Sequence, residues 1–363
     1  MILLRPPRHP VRPPIRLLVL TALLASLQGC SLLGGAPTAP TVAPTQPAAP
    51  AAPLLVSFDD DGSPDGTTAL LFLLSDPAVR LVSASISYGE AYPDVYIQHV
   101  GRLLDDFGFV DIPLGAGPAA PVAGDNAFPE FMREGANDFW GLPLPNAERT
   151  YPVQDVASLL VSVSKGSDQP VTVFASGPLT NLALALRKDP SIRQRLEAVY
   201  IMGGAVYVPG NLRDLAPDSP NTAAEWNIYA DPVAAQEVFD SGVDLYLVPL
   251  DATNQVEITR RDTAAWRSGG EIADFAADLY QGLMDSWGTK SAAVWDVMTA
   301  AILTDPELCR FEALHLDVVT DDGSESGRTV VRTGETPNVN VCLDPDVDGI
   351  LQALTVVFSS QRP

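Results

Sequence analysis

The sequence predicts an α/β protein: a single-domain, open, mostly parallel β-sheet with helices on both faces, running from residue 54 to residue 363. Three observations carry that reading. Short apolar runs end in polar or glycine turns and are followed by helix-like stretches, as where Val171 to Ala175 leads into SGPLTN and NLALALRKDP. No internal repeat and no break in composition divides residues 54–363, and the length is ample for one large core. The third is VSFDDDGSPD, Val56 to Asp65, in which a strand runs into a tight turn and then a helix. Its acids therefore stand at the carboxyl end of a strand, where open α/β sheets place their ligands.

Ahead of this domain lie two other segments. Residues 1–29 have an Arg-rich start ending at Arg16 and a mainly apolar stretch from Leu17 to Leu27, the build of an export signal rather than of a membrane span. The sequence Leu27-Gln28-Gly29-Cys30 resembles the bacterial lipobox, which makes Cys30 the lipidation site. Residues 30–53 add an Ala/Pro/Thr-rich tether with almost nothing to bury. The expectation is an exported protein, lipid-anchored to the outer face of the bacterial cell membrane. An oxidising compartment permits a Cys309–Cys342 disulfide, and two free buried thiols remain an equal reading. The net charge of −23 repels phosphate backbones and anionic lipid head groups, so nucleic acid is excluded as a partner and the anchor is the sole membrane contact expected. Neutral substrates and divalent cations suit such a surface.

Within the domain the elements follow in order. Side chains alternate along a strand, so Asp59 and Asp61 are expected on one face and Asp60 on the other. Carboxylates converging there point to a hard cation or to an acid and base pair, against the plainer reading of an Asp-rich helix cap. VRLVSASISYGE reads as a second strand ending in the polar turn Ser87 to Glu90, with a helix through Val95 to Phe107 and a short strand at Asp111 to Gly115. The stretch from Pro118 to Arg149 is loop-rich and carries Phe128, Phe131, Phe139 and Trp140, as packing or as a platform for a flat ligand. Val199 to Met202 is a strand, and the loop after it brings Glu225, Trp226 and Asn227 to a helix start at Asp231-Pro232. VDLYLVPLD reads as a strand ending at Asp251. The helix expected over SAAVWDVMTAAIL holds Asp296, a carboxylate costly to bury unless it pairs or binds metal. His9, His99 and His315 adjoin no nucleophile or acid cluster, which leaves proton transfer to carboxylates.

Taken in order, DDDGSPD at Asp59 to Asp65, SGPLTN at Ser176 to Asn181, IMGGA at Ile201 to Ala205, PGN at Pro209 to Asn211, AEWNIYADP at Ala224 to Pro232 and VWDV at Val294 to Val297 resemble the nucleoside hydrolase family. These enzymes cleave the N-glycosidic bond of ribonucleosides with a tightly held Ca²⁺, and the resemblance spans about residues 54–358. It implies a Rossmann-like sheet and a set of roles. Asp61 matches the acid that binds Ca²⁺ and takes a proton from the attacking water. Asp65 matches the carboxylate on the ribose hydroxyls, the carbonyl of Ser176 and the carboxylate of Asp296 match further metal ligands, and Asn211, Glu225 and Asn227 match residues that grip the ribose. Trp295 stands where many members carry a catalytic His, and the purine-preferring branch resembles this chain in having WD there. Phe131 is matched to that branch's second aromatic, and stacking between two rings would help a purine leave.

Two positions depart from the pattern. The family motif ends in two consecutive acids, the second clasping Ca²⁺, whereas Asp65 is followed by Gly66, which should weaken Ca²⁺ binding. Glu90 stands where many members have Asn, in place to compensate partly or to disturb the ribose. The function expected is release of free base and ribose from purine-type ribonucleosides, with a small-molecule nucleoside as partner and homo-oligomerisation left open. One alternative is a non-catalytic nucleoside- or sugar-binding lipoprotein on a degenerated scaffold. A remoter one is a haloacid dehalogenase-like phosphatase with Asp59 as nucleophile and Asp61 as acid, for which Lys188 would be the poorly suited lysine.

Overall fold

The computed structural model describes residues 52–144 and 150–360. The leader, Cys30 and nearly all of the tether lie outside the described residues. The first half of the domain runs β1 (Leu54–Asp60), α1 (Pro64–Ser75), β2 (Val79–Ile86), α2 (Pro93–Asp106), β3 (Leu114–Ala116), α3 (Glu130–Asn137), β4 (Val153–Asp155), α4 (Val156–Gly166), β5 (Val171–Ser176), α5 (Thr180–Lys188) and β6 (Leu196–Met202). Then come α6 (Leu212–Leu215), α7 (Trp226–Ala230), α8 (Pro232–Phe239), β7 (Leu245–Val248), α9 (Leu250–Thr253), β8 (Glu257–Thr259), α10 (Arg260–Trp266), α11 (Glu271–Trp287) and β9 (Ser291–Ala293). The chain closes with α12 (Asp296–Thr304), β10 (Cys309–Leu314), β11 (Leu316–Val318), β12 (Thr329–Val331), β13 (Val339–Pro345) and α13 (Val347–Ser359).

Nine strands make one sheet in the order β10-β13-β7-β6-β5-β1-β2-β3-β4, and only the β10–β13 pair is antiparallel. Strands β1 and β5 are buried along nearly their whole length, because helices cover both faces and no residue of either strand can face water. Leu70, Phe72, Val297 and Phe358 belong to the core on one side of the sheet, and Leu182, Ile192, Ile201 and Phe239 to the core on the other. Helix α1 is buried on every side, so beyond its first turn it is apolar apart from Thr68 and Ser75, whose hydroxyls donate to the Pro64 and Leu71 carbonyls. That turn is fixed locally: Pro64 opens the helix and Ser63 caps it, its hydroxyl accepting from the Gly66 N–H at 2.7 Å.

The topology decides where a ligand can sit. Strand β1 lies between β2 and β5, the point at which the strand order reverses, and its last residue, Asp60, pairs in register with Ile86 and Ser176. A crevice opens beyond these strand ends.

Two segments differ from the sequence expectation, and the loop-rich stretch after β3 also holds the short helix α3. Strand β7 stops at Val248, and Asp251 lies on the single turn α9, where its carboxylate accepts from the N–H groups of Val206 and Tyr207 at 2.8 Å each and ties down the loop after β6. The helix expected over SAAVWDVMTAAIL is divided into β9 and α12, so Asp296 is the first residue of a helix rather than a residue in its middle.

Cys309 and Cys342 form a disulfide with Cα atoms 5.8 Å apart, joining the antiparallel edge pair β10 and β13. It closes a chain segment with a sequence separation of 33 residues, for which loop-closure entropy gives about 3–4 kcal/mol. Cys309→Ala with Cys342→Ala should therefore lower Tm by roughly 5–10 °C, read by a thermal melt, and leave the strand ends of β1 and β5 undisturbed because the bridge is on the far edge of the sheet. An unchanged Tm would remove the bridge from the account of stability.

Candidate active site

Beyond the ends of β1, β5 and β6 lies a cavity of about 630 Å³, within the range of roughly 300–1,000 Å³ usual for ligand pockets. Its walls include Asp61, Asp65, Glu90, Ser176, Asn211, Glu225, Asn227, Trp295 and Asp296, so the structure brings together residues that the sequence scatters over more than two hundred positions.

Asp61 follows the last residue of β1 and turns into the cavity. The Glu90 N–H donates to its Oδ2 at 3.1 Å, and a Cβ at Gly89 would collide with its carboxylate, so glycine is needed for the approach. Asp296 enters from the start of α12, its Oδ2 accepting from the Ser63 hydroxyl at 2.9 Å. Ser63 thus caps α1 and aims Asp296 at once. On the opposite wall Glu225 caps α7, accepting from the N–H groups of Gly204 at 2.8 Å, Asn227 at 2.9 Å and Ile228 at 3.2 Å. The Asn227 amide donates to the carbonyls of Met202 at 3.2 Å and Ser176 at 3.4 Å, and Asn211 accepts from the Trp226 N–H at 3.1 Å.

Asp65 lines the same cavity, but its oxygens are already engaged. Oδ2 accepts from the N–H groups of Trp295 and Asp296 at 2.7 Å each, and Oδ1 accepts from the Val297 N–H at 3.3 Å and from the Tyr280 hydroxyl. A carboxylate has about four lone-pair sites, and four donors fill them. Besides lining the cavity, its carboxylate holds the N-terminus of α12, and with it Asp296 and Trp295.

Negative charge dominates the electrostatics. No lysine, arginine or histidine is among the cavity-lining residues. Burial first, and then repulsion by the neighbouring acids, pushes Glu90 up to about 8 and holds Asp61 and Asp296 well above the ordinary carboxylate range. Burial likewise raises Glu225, against the hydrogen bonds that lower it. These acids form no ion pair among the described residues, so the cluster is short of positive charge.

The aromatic wall is different from the one expected. Phe131 is 58% exposed on α3 and does not line the cavity, because the face of α3 that turns inward carries Met132 instead. Trp140, Trp287 and Trp295 line it, Trp287 and Trp295 meeting edge to face with centroids 6.4 Å apart. Trp140 is held by strain: Phe139 and Trp140 both have positive φ, 47° and 57°, and the Trp140 indole N–H donates to the Gly62 carbonyl at 3.2 Å. Facing them, Phe128 stacks on Trp226 at 4.7 Å.

Strand alternation also misplaces one acid. Asp59 accepts from Ser85 and Asn181 at 2.7 Å each, outside the cavity, while Asp61 lies past the end of the strand and shares no face with it. A covalent role for Asp59 therefore has no substrate site beside it, and Lys188 lies on the surface paired with Asp155 at 3.2 Å. His99 bonds the Asn137 carbonyl at 2.8 Å and His315 the Thr336 carbonyl at 2.7 Å, both away from the cavity.

Comparison with known proteins now bears on this site. The pattern of the inosine-uridine preferring nucleoside hydrolase family matches residues 56–352. The chain belongs to that family. The pyrimidine-specific ribonucleoside hydrolase RihA of Citrobacter koseri is 31% identical over 313 residues, covering 83% of this chain and 96% of its own. RihA of an Enterobacter species is 32% identical with the same coverage. Among solved structures, an inosine-uridine preferring nucleoside hydrolase from Bacillus anthracis superposes with a TM-score of 0.73 at 26% identity, covering 84% of this chain and 99% of its own. A purine-preferring ribonucleoside hydrolase from Gardnerella vaginalis gives 0.75 at 23% identity, covering 84% and 98%, a likeness of fold.

As a member, this nucleoside hydrolase is a ribonucleoside N-glycosidase, and its mostly parallel sheet is the fold of those relatives. Nucleoside hydrolases typically bind a metal ion, and the donor set here fits one: buried oxygen donors, an acid excess without cations, and a close cradle for Asp61. Among the described residues no three His, Cys, Asp or Glu side chains close into a tight cage, so the fit rests on donor chemistry and cradle. Sequence reasoning missed Ser63, Tyr280, Trp287 and the assignment of Trp140 to the wall. Only Trp140 carried a signal, as one aromatic in a loop-rich stretch.

Proposed function

We propose that this hydrolase releases the base from purine-type ribonucleosides at a Ca²⁺-dependent site held by Asp61, Asp296 and the Ser176 carbonyl. The observation that carries the reading is the cluster of buried, unpaired acids facing a wall of three tryptophans across one cavity. When bound, a divalent cation would neutralise part of that charge and make water a better nucleophile at neutral pH. Asp61 accepts the proton from the attacking water. Glu225, Asn227 and Asn211 hold the sugar, and the remaining negative charge favours an oxocarbenium-like transition state. With no imidazole in the cavity, the base leaves while stacked on Trp295, Trp140 and Trp287, taking its proton from solvent.

Pyrimidine specificity is the second reading, favoured by the RihA relatives. Base release from a panel of purine and pyrimidine nucleosides, with Ca²⁺ and then with chelator, separates the two. Purine release that chelator abolishes is the expected result, and Trp295→Ala should lower purine kcat/KM roughly 10–100-fold, the worth of one aromatic stack. Preference for uridine or cytidine with Trp295→Ala near wild type would overturn the purine assignment.

Export and a lipid on Cys30 complete the proposal. The Cys309–Cys342 disulfide supports an oxidising compartment, and no helix among the described residues is long and apolar enough to cross a membrane.

A further inference from the structure

We propose that Asp60 is a ligand of the divalent-cation site, standing in for the acid that position 66 lacks. The inference rests on the cation reading above and extends it to a residue that the resemblance leaves without a role.

Its basis is a volume that two positions share. A Cβ built on Gly66 would fall on the carboxylate of Asp60, and its three nearest atoms are Oδ1, Cγ and Oδ2 of that one residue. The Asp60 carboxylate therefore fills the space that a side chain at 66 would enter from the first turn of α1. Strand and helix approach closely there, so an acid can reach the spot from the end of β1 or from α1, but only one fits. The transposition conserves the number of carboxylates in the oxygen cage, and that number is a main determinant of Ca²⁺ affinity.

The carboxylate is also fixed as a ligand must be. Asp60 is 1% exposed, its Oδ1 accepting from the Ser176 hydroxyl at 2.7 Å and its Oδ2 from the Gly62 N–H at 2.8 Å. The Asp61 N–H is a third donor, so about one of its roughly four lone-pair sites remains for a cation. Ser176 serves twice, its hydroxyl orienting Asp60 and its carbonyl belonging to the proposed ligand set. Asp60 is not itself in the cavity wall; it backs the cluster there, acting electrostatically on Glu90, Asp61 and Asp296.

Calorimetric titration of the full chain with Ca²⁺ tests the assignment, alongside circular dichroism of the calcium-free protein. Asp60→Asn, an isostere chosen to keep the fold, and Asp60→Ala should each weaken Ca²⁺ binding by more than the roughly 10–100-fold that follows loss of an outer-shell partner. Gly66→Asp alone should bind poorly, because the two acids collide. The double variant Asp60→Ala with Gly66→Asp should return to within about tenfold of wild type, since the acid is restored from the helix side. Wild-type-like Ca²⁺ binding by Asp60→Asn and Asp60→Ala, or a double variant no tighter than Asp60→Ala, would overturn the proposal. A wild-type chain that binds no Ca²⁺ would instead overturn the cation reading on which it rests.

Discussion

Asp61→Asn is expected to lower kcat/KM by about 10³-fold or more while the domain stays folded. Two losses combine. The amide cannot take the proton from water, and the cation site forfeits a charged donor. Stability should move the other way in calcium-free buffer, because Asp61 is a buried charge with acids beside it and no cationic partner. The calcium-free variant should therefore melt at or above the temperature of the calcium-free wild type, and added Ca²⁺ should raise its Tm less. Nucleoside cleavage together with melts in Ca²⁺ and in chelator would check both halves. Retention of a tenth of wild-type activity would remove Asp61 from the chemistry.

Asp65→Ala should behave in the opposite sense, with a loss of about 3–5 kcal/mol of folding stability. The substitution strands three N–H groups at the start of α12 and the Tyr280 hydroxyl, all buried donors that now share one carboxylate. Relief of repulsion between Asp65 and Asp296 offsets part of this cost. Four hydrogen bonds to a charged acceptor, each worth about 1.5–3 kcal/mol, outweigh that relief. Denaturant unfolding measures the change, and kinetics discriminate the role. A residue that only gripped ribose would raise KM and leave the unfolding midpoint where it was, and that pattern would remove Asp65 from the support of α12.

Much of the architecture was legible because turn chemistry and burial leave local marks. Apolar runs ending in glycine or polar turns announced the parallel strands, and VSFDDDGSPD announced the ligand end of β1. The six blocks of the family resemblance brought Asp61, Ser176, Glu225, Asn227 and Asp296 to one crevice in expectation, and the cavity unites them. What failed to show were properties made by distant parts of the chain. Tyr280 meets Asp65 across a sequence separation of 215 residues, and no local pattern marks a phenol that will bond a carboxylate. The alternation rule assigned Asp61 to the face of Asp59, yet the rule lapses where the strand does, one residue earlier. Phe131 looked like a stacking partner because helix α3, hidden in an irregular stretch, decides which of its neighbours turns inward. The pairing of Cys309 with Cys342 was undecided until β10 and β13 were seen side by side.

The close approach of Gly66 to Asp60 also bears on descent. Two side chains that compete for one space cannot be exchanged by a single substitution. Gaining the second acid first produces a clash, and losing the first acid first leaves the cage one donor short. On the proposed assignment of Asp60, an exchange of strand for helix as the source of the acid would have to pass through one of these two weakened forms.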